Sequence, residues 1–123
     1  MNLLVERNHG DSGEALTELP PLRRHNGFGP SIWPFLFTVR FKPTFPHQDG
    51  TVTLAIDHSD DGDDWTEIAT FDSGTSDARI LKASSTVDEP KPNLRIRWEI
   101  DAGYWDILVD ARRDVQRGLA LGF

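Results

Sequence analysis

The sequence predicts an all-β domain built as an antiparallel β-sandwich, and three observations carry that expectation. Apolar residues recur at period two in separate segments. Clusters of Gly, Pro, Asp and Ser punctuate those segments at spacings suited to a sandwich, and no stretch shows the pattern of a long amphipathic helix. At 123 residues the chain fits one domain that buries roughly two-thirds of its unfolded surface in a single core. Zero cysteines exclude a disulfide framework, a zinc-thiolate site and a cysteine nucleophile.

Residues 1–32 read as an extended N-terminal arm. Gly10, Gly13, Pro20, Pro21, Gly27, Gly29 and Pro30 interrupt both helix and central strand. Its opening, MNLLVERNHGDSGEA, lacks the basic start and long apolar core of a secretory leader. Two apolar pieces sit inside the arm: Leu3, Leu4 and Val5, then Leu16, Leu19 and Leu22. They either pack back on their own domain or dock on a neighbouring chain, because exposed apolar segments mark contacts.

The sandwich domain is expected over residues 33–112. In WPFLFTVRFK, Phe35, Phe37, Val39 and Phe41 share one face, while Leu36, Thr38, Arg40 and Lys42 share the other. A loop holding Pro43 and Pro46 follows. The run Gly50 to Phe71 then predicts a hairpin. Val52, Leu54 and Ile56 alternate with small or polar residues, Asp61-Gly62 supplies the turn, and Trp65, Ile68 and Phe71 mark the return strand. After a second turn cluster at 72–77, residues 79–83 form a short, weakly patterned strand. Leu94, Ile96, Trp98 and Ile100 make another strand, and Trp105, Ile107 and Val109 the next, joined by a Gly-containing turn. About six strands result. The expected core holds Phe37, Val39, Leu54, Ile56, Trp65, Ile96, Trp98, Ile107 and Val109, in a jelly-roll or immunoglobulin/discoidin-like wrapping. Residues 113–123 form a C-terminal tail in which Leu119, Leu121 and Phe123 alternate, as a short helix ending at Gly118 or as a further strand.

Charge and motifs narrow the function. A formal charge of −7 argues against binding nucleic-acid phosphates, and no run approaches the ~20 apolar residues of a membrane span. A calcium-loop alignment on Gly62 places Asp57, Ser59 and Asp61 as oxygen ligands, but Ile68 stands where the bidentate carboxylate belongs. A solvated acidic turn is the better reading, with no metal and no cofactor expected. His58, beside Asp57 and Asp60, could be held as a cation, yet no catalytic partner set accompanies it. Tyr104 is the one aromatic expected to point outward from a strand, and Arg95, Arg97 and Glu99 read as a solvated face with cross-strand pairs. No catalytic residue is expected.

The hairpin Ile56–Ile68, with its Ser59-Asp60-Asp61-Gly62-x-x-Trp65-Thr66 turn, is followed by the strand Leu94-Arg95-Ile96-Arg97-Trp98. Together they resemble a recurrent pattern in small structural proteins of tailed bacteriophages. The resemblance spans roughly residues 33–112, and the turn element also occurs in discoidin-like and carbohydrate-binding sandwiches. It implies a non-enzymatic virion component, foremost a capsid decoration or minor head protein bound to the major capsid protein and forming a homo-oligomer. A head-to-tail connector or tail protein and a carbohydrate-binding module for host recognition are the alternatives. Leu3, Leu4, Val5, Leu16, Leu19, Leu22, Leu119, Leu121 and Phe123 are then the expected protein-interaction residues, since burying them offsets the entropy of ordering the termini only where a surface receives them.

Overall fold

The computed structural model describes residues 2–19, 35–45, 48–87 and 90–113. The described residues form eight strands: β1 (Asn2–His9), β2 (Gly13–Glu18), β3 (Phe35–Pro43), β4 (Val52–Ser59), β5 (Thr66–Asp72), β6 (Arg79–Ser84), β7 (Asn93–Ile100) and β8 (Trp105–Arg113). They make two four-stranded sheets, ordered β1-β8-β3-β6 and β2-β7-β4-β5. Pairing is nested. β1 pairs with β8, β2 with β7, β3 with β6 and β4 with β5, all antiparallel. The chain is therefore one long two-stranded ribbon whose successive pairs fall in alternate sheets, with β3·β8 and β4·β7 joining the pairs within each sheet. That wrapping is a jelly roll.

The inner faces follow the period-two reading. Phe35, Phe37, Val39 and Phe41 on β3 meet Val52, Leu54 and Ile56 on β4, Leu94, Ile96 and Trp98 on β7, and Trp105, Ile107 and Val109 on β8 in one core cluster. Opposing faces bury these side chains at roughly 1.5–3 kcal/mol each, which drives the layers together. The Asp-Gly turn is also as expected, since Gly62 adopts φ 81°, a conformation most other residues enter only at a cost.

Residues 2–18 are not an extended arm, and of the two alternatives for their apolar pieces the structure takes the one in which they pack back on their own domain. They are β1 and β2, one in each sheet, and Leu3, Leu4 and Leu19 join the core. Glycine here permits close approach. A Cβ on Gly13 would lie 2.9 Å from Cζ2 of Trp98, so its absence lets the indole pack on the β2 backbone. The Trp98 Nε1–H donates to the Asp11 carbonyl at 3.0 Å, and the Ile100 N–H donates to the Ser12 hydroxyl at 3.0 Å. The sandwich thus takes in Asn2–His9 and Gly13–Glu18 as well. Residues 20–34 and 114–123 lie outside the described residues.

Trp65 is the one expected core residue that is not in the core. Ile56 pairs with Ala69 and Asp57 with Glu67, so Ile68 is an extra residue on β5. Such a bulge reverses the phase of the strand beyond it. Ile68 and Ala69 are both buried, while Trp65 and Glu67 turn to the outside with Asp57.

Two substitutions separate these indoles. Trp98→Ala is expected to cost about 3 to 5 kcal/mol, as for other large buried aromatics. Trp65→Ala is expected to cost about 1 kcal/mol, the scale of a partly hydrated cation–π contact. Urea denaturation of both variants checks the assignment, and equal losses would contradict the bulge.

Candidate protein-interaction surface

The expected interaction residues divide. Leu3, Leu4 and Leu19 are buried inside their own sandwich and cannot reach a neighbour without unfolding β1 or β2. Val5 is 48 % exposed and Leu16 71 % exposed. Leu22, Leu119, Leu121 and Phe123 lie outside the described residues. The exposed pair needs a surface around it, and Leu16 has one.

On the outer face of the β2-β7-β4-β5 sheet, strand register sets Leu16, Arg95, Asp57 and Glu67 side by side in one row. The next row is Glu14, Arg97, Ala55 and Thr70. Asp57 is only 2 % exposed because both arginines fold over it. Arg97 donates to its carboxylate through Nε at 2.6 Å and Nη2 at 3.0 Å, and Arg95 donates through Nε at 2.9 Å. Burial alone would raise the Asp57 carboxyl, but these hydrogen bonds and the two positive charges hold it below the usual carboxylate range. Arg97 Nη2 also reaches Glu67 at 3.3 Å, and the Arg95 guanidinium lies 4.8 Å above the Trp65 ring. The sequence reading of solvated pairwise contacts is therefore corrected. Arg95 and Arg97, two apart on β7, converge on one buried carboxylate across the sheet. The spacing of three between Trp65, Ile68 and Phe71, impossible on one face of a regular strand, was the signal that could have revealed the bulge that turns Trp65 outward beneath Arg95.

Two open depressions follow from this layout. One, of about 230 Å3, is lined by Leu16, Thr17 and Glu18 of β2, Asn93 and Leu94 of β7, and Gly62 and Trp65 of the β4–β5 hairpin. The other is a trough of about 520 Å3, with Thr53, Ala55 and Thr70 as small floor residues and Glu14, Arg97 and Glu99 along its rim. Both suit side chains presented by another surface.

The acidic turn is organised by its own backbone. Asp61 Oδ1 accepts from the Ser59 hydroxyl at 2.9 Å and from the Asp63 and Asp64 amides at 2.9 and 3.0 Å. Those amides lower its pKa to about 2. Asp57 and Asp61 thus serve different partners, and among the described residues no group of acidic or histidine side chains is arranged to hold a metal. His58 is corrected as well. It is buried, its Nδ1 accepts the Lys91 amide at 3.0 Å, and burial together with Lys91 lowers its pKa against the opposing pull of Asp60 and Asp57. It is held neutral. At the far end of the sandwich Tyr104 points outward as expected, edge-on to Phe45 with ring centroids 6.0 Å apart. Gln48 clamps that corner, donating to the Tyr104 carbonyl at 2.9 Å and accepting its amide at 3.3 Å.

No protein-family model and no curated protein matches this chain. Its role is accordingly argued from the surface residues themselves.

Asp57→Ala is expected to cost about 2 to 4 kcal/mol, somewhat under the ~3 to 5 for a sealed ion pair, because Arg95 and Arg97 stay partly hydrated. Chemical denaturation measures it, and a loss below ~0.5 kcal/mol would mean the arginines find other partners. The second expectation concerns pH. The folded pKa of His58 lies below its ordinary 6.5, so its stabilising share is whole above that value and is lost as the pH falls beneath it. Thermal melts stepped downward from pH 7.5 are expected to show a falling midpoint that His58→Gln flattens; parallel curves for the two proteins would refute it.

Proposed function

We propose that the protein is a non-enzymatic structural component of a tailed-bacteriophage particle, a capsid decoration or minor head protein that joins the major capsid lattice and neighbouring subunits. The observation that carries this reading is the position of the exposed large apolar side chains on strands. Val5, Leu16 and Ile80 lie on β1, β2 and β6, which are edge strands of the two sheets. Apolar groups on open edges mark surfaces that pair with other chains. The resemblance of the hairpin and of β7 to phage structural proteins supports the virion setting, and jelly rolls recur in capsid and lectin domains, an argument by analogy of fold alone. The polar clusters are consistent with this. Asp57, His58 and Asp61 are committed to holding their own elements together.

Trp65 favours a second reading, a carbohydrate-binding module. Its ring lines an open depression, but Arg95 already covers one face, which leaves only the opposite face for a sugar ring.

Particles of the encoding phage test the primary reading. The protein is expected at a fixed copy ratio to the major capsid protein, and Leu16→Asp, folded and as heat-stable as the parent, is expected to reduce that ratio at least tenfold. Absence from purified particles, together with glycan affinity lost in Trp65→Ala, would establish the module instead.

A further inference from the structure

The two outer faces of the sandwich carry opposite charge. On the β1-β8-β3-β6 sheet, Arg40, Lys42, Lys82 and Arg112 are exposed and form no ion pair with another described residue. The carboxylates among them, Asp106 and Asp110, are half-buried and have partners, Asp106 with Arg7 at 3.6 Å. In a chain of net charge −7 this face is basic. The β2-β7-β4-β5 face is the reverse. Glu14, Glu18, Asp72 and Glu99 are exposed there, while its arginines, Arg95 and Arg97, are turned onto Asp57.

Each charged face also carries apolar side chains, most of them on its edge strands. The basic one has the row Val5, Leu108, Arg40 and Ile80, and the acidic one has Leu16 beside Trp65. Apolar side chains beside charged ones give such a face both area to bury and polarity to match. The trough rimmed by Glu14, Glu99 and Arg97, whose guanidinium is engaged by Asp57 and Glu67, leaves the two glutamates to meet lysine or arginine side chains.

We infer that the basic β1-β8-β3-β6 face of one copy docks on the acidic β2-β7-β4-β5 face of another, giving a head-to-tail homo-oligomer. Charge complementarity between two faces of the same chain singles out a second copy as occupant. The two faces point away from each other, so each contact leaves a free face of either sign and the assembly is heterologous, closing as a ring or growing as a stack. Four strands about 4.8 Å apart and about seven residues at about 3.3 Å give a footprint of about 440 Å2 per partner. That is small against the ~800 Å2 of a standard interface, so one contact is weak and repetition supplies the strength. The inference deepens the structural-protein reading by naming one partner, and it stands or falls in solution without particles.

Sedimentation of the full chain from about 10 µM to about 1 mM, in about 25 mM and about 500 mM NaCl, tests it. The parent is expected to associate reversibly at low salt and to dissociate at high salt. Arg40→Glu/Lys82→Glu removes the excess positive charge of the basic face, and Glu14→Lys/Glu99→Lys removes the excess negative charge of the acidic one, each leaving the other face intact. Each alone is expected to stay monomeric, and an equimolar mixture to associate again. Should either variant fail to fold, the glutamine versions at the same positions are expected to weaken association at least tenfold. A parent that is monomeric throughout, variants that associate alone, or a mixture that stays monomeric would overturn the inference. So would a monomeric parent whose basic face instead binds a DNA duplex in a salt-dependent way. A monomer in solution that still keeps its fixed ratio on particles would overturn self-association and leave particle attachment intact.

Discussion

The Trp98 indole needs both a cover and a hydrogen-bond acceptor, and the start of the chain supplies the two together. Gly13 brings the β2 backbone onto the ring because it has no Cβ, and the Asp11 carbonyl receives the Nε1–H. A buried indole without that acceptor would carry an unsatisfied donor, at roughly 1 to 3 kcal/mol. Once β2 is held beside β7, the preceding strand β1 runs along β8 in the other sheet. Two central strands that would otherwise be open edges are thereby covered. The pairing of the first strand with the last closes nearly the whole chain into one loop, and the core must repay that entropy.

Polarity on the outside is managed by the same logic of pairing across distance. The extra residue on β5 turns Trp65 and Glu67 outward onto the face of Asp57, where Arg95 and Arg97 from β7 close over the carboxylate and engage Trp65 and Glu67 respectively. Strands β4, β5 and β7 are tied into one patch, while Leu16 remains exposed at its rim. The arginines are spent on architecture, and that is why the carboxylates of this face dominate its field.

The faces of β3, β4, β7 and β8 were legible because alternation is a local property of an extended backbone. Side chains at i and i+2 share a face wherever the strand lies, so Phe35 to Phe41 and Leu94 to Trp98 declared their inward sides without any knowledge of partners. The Asp61-Gly62 turn was legible for the same reason, since φ at Gly62 is a matter of one residue's sterics. By itself, then, the amino-acid order determined the sandwich class, the strands of its centre and the tight turn. The tertiary structure alone decided the rest. Glycines that locally weaken a strand become an advantage only when Trp98 arrives from far along the chain, so β1 and β2 read as an arm. Asp57 reads as a surface carboxylate until two arginines close over it, and Trp65 reads as core until a bulge shifts its phase. Each of these depends on what faces a residue across the sheet, and no local pattern carries that information.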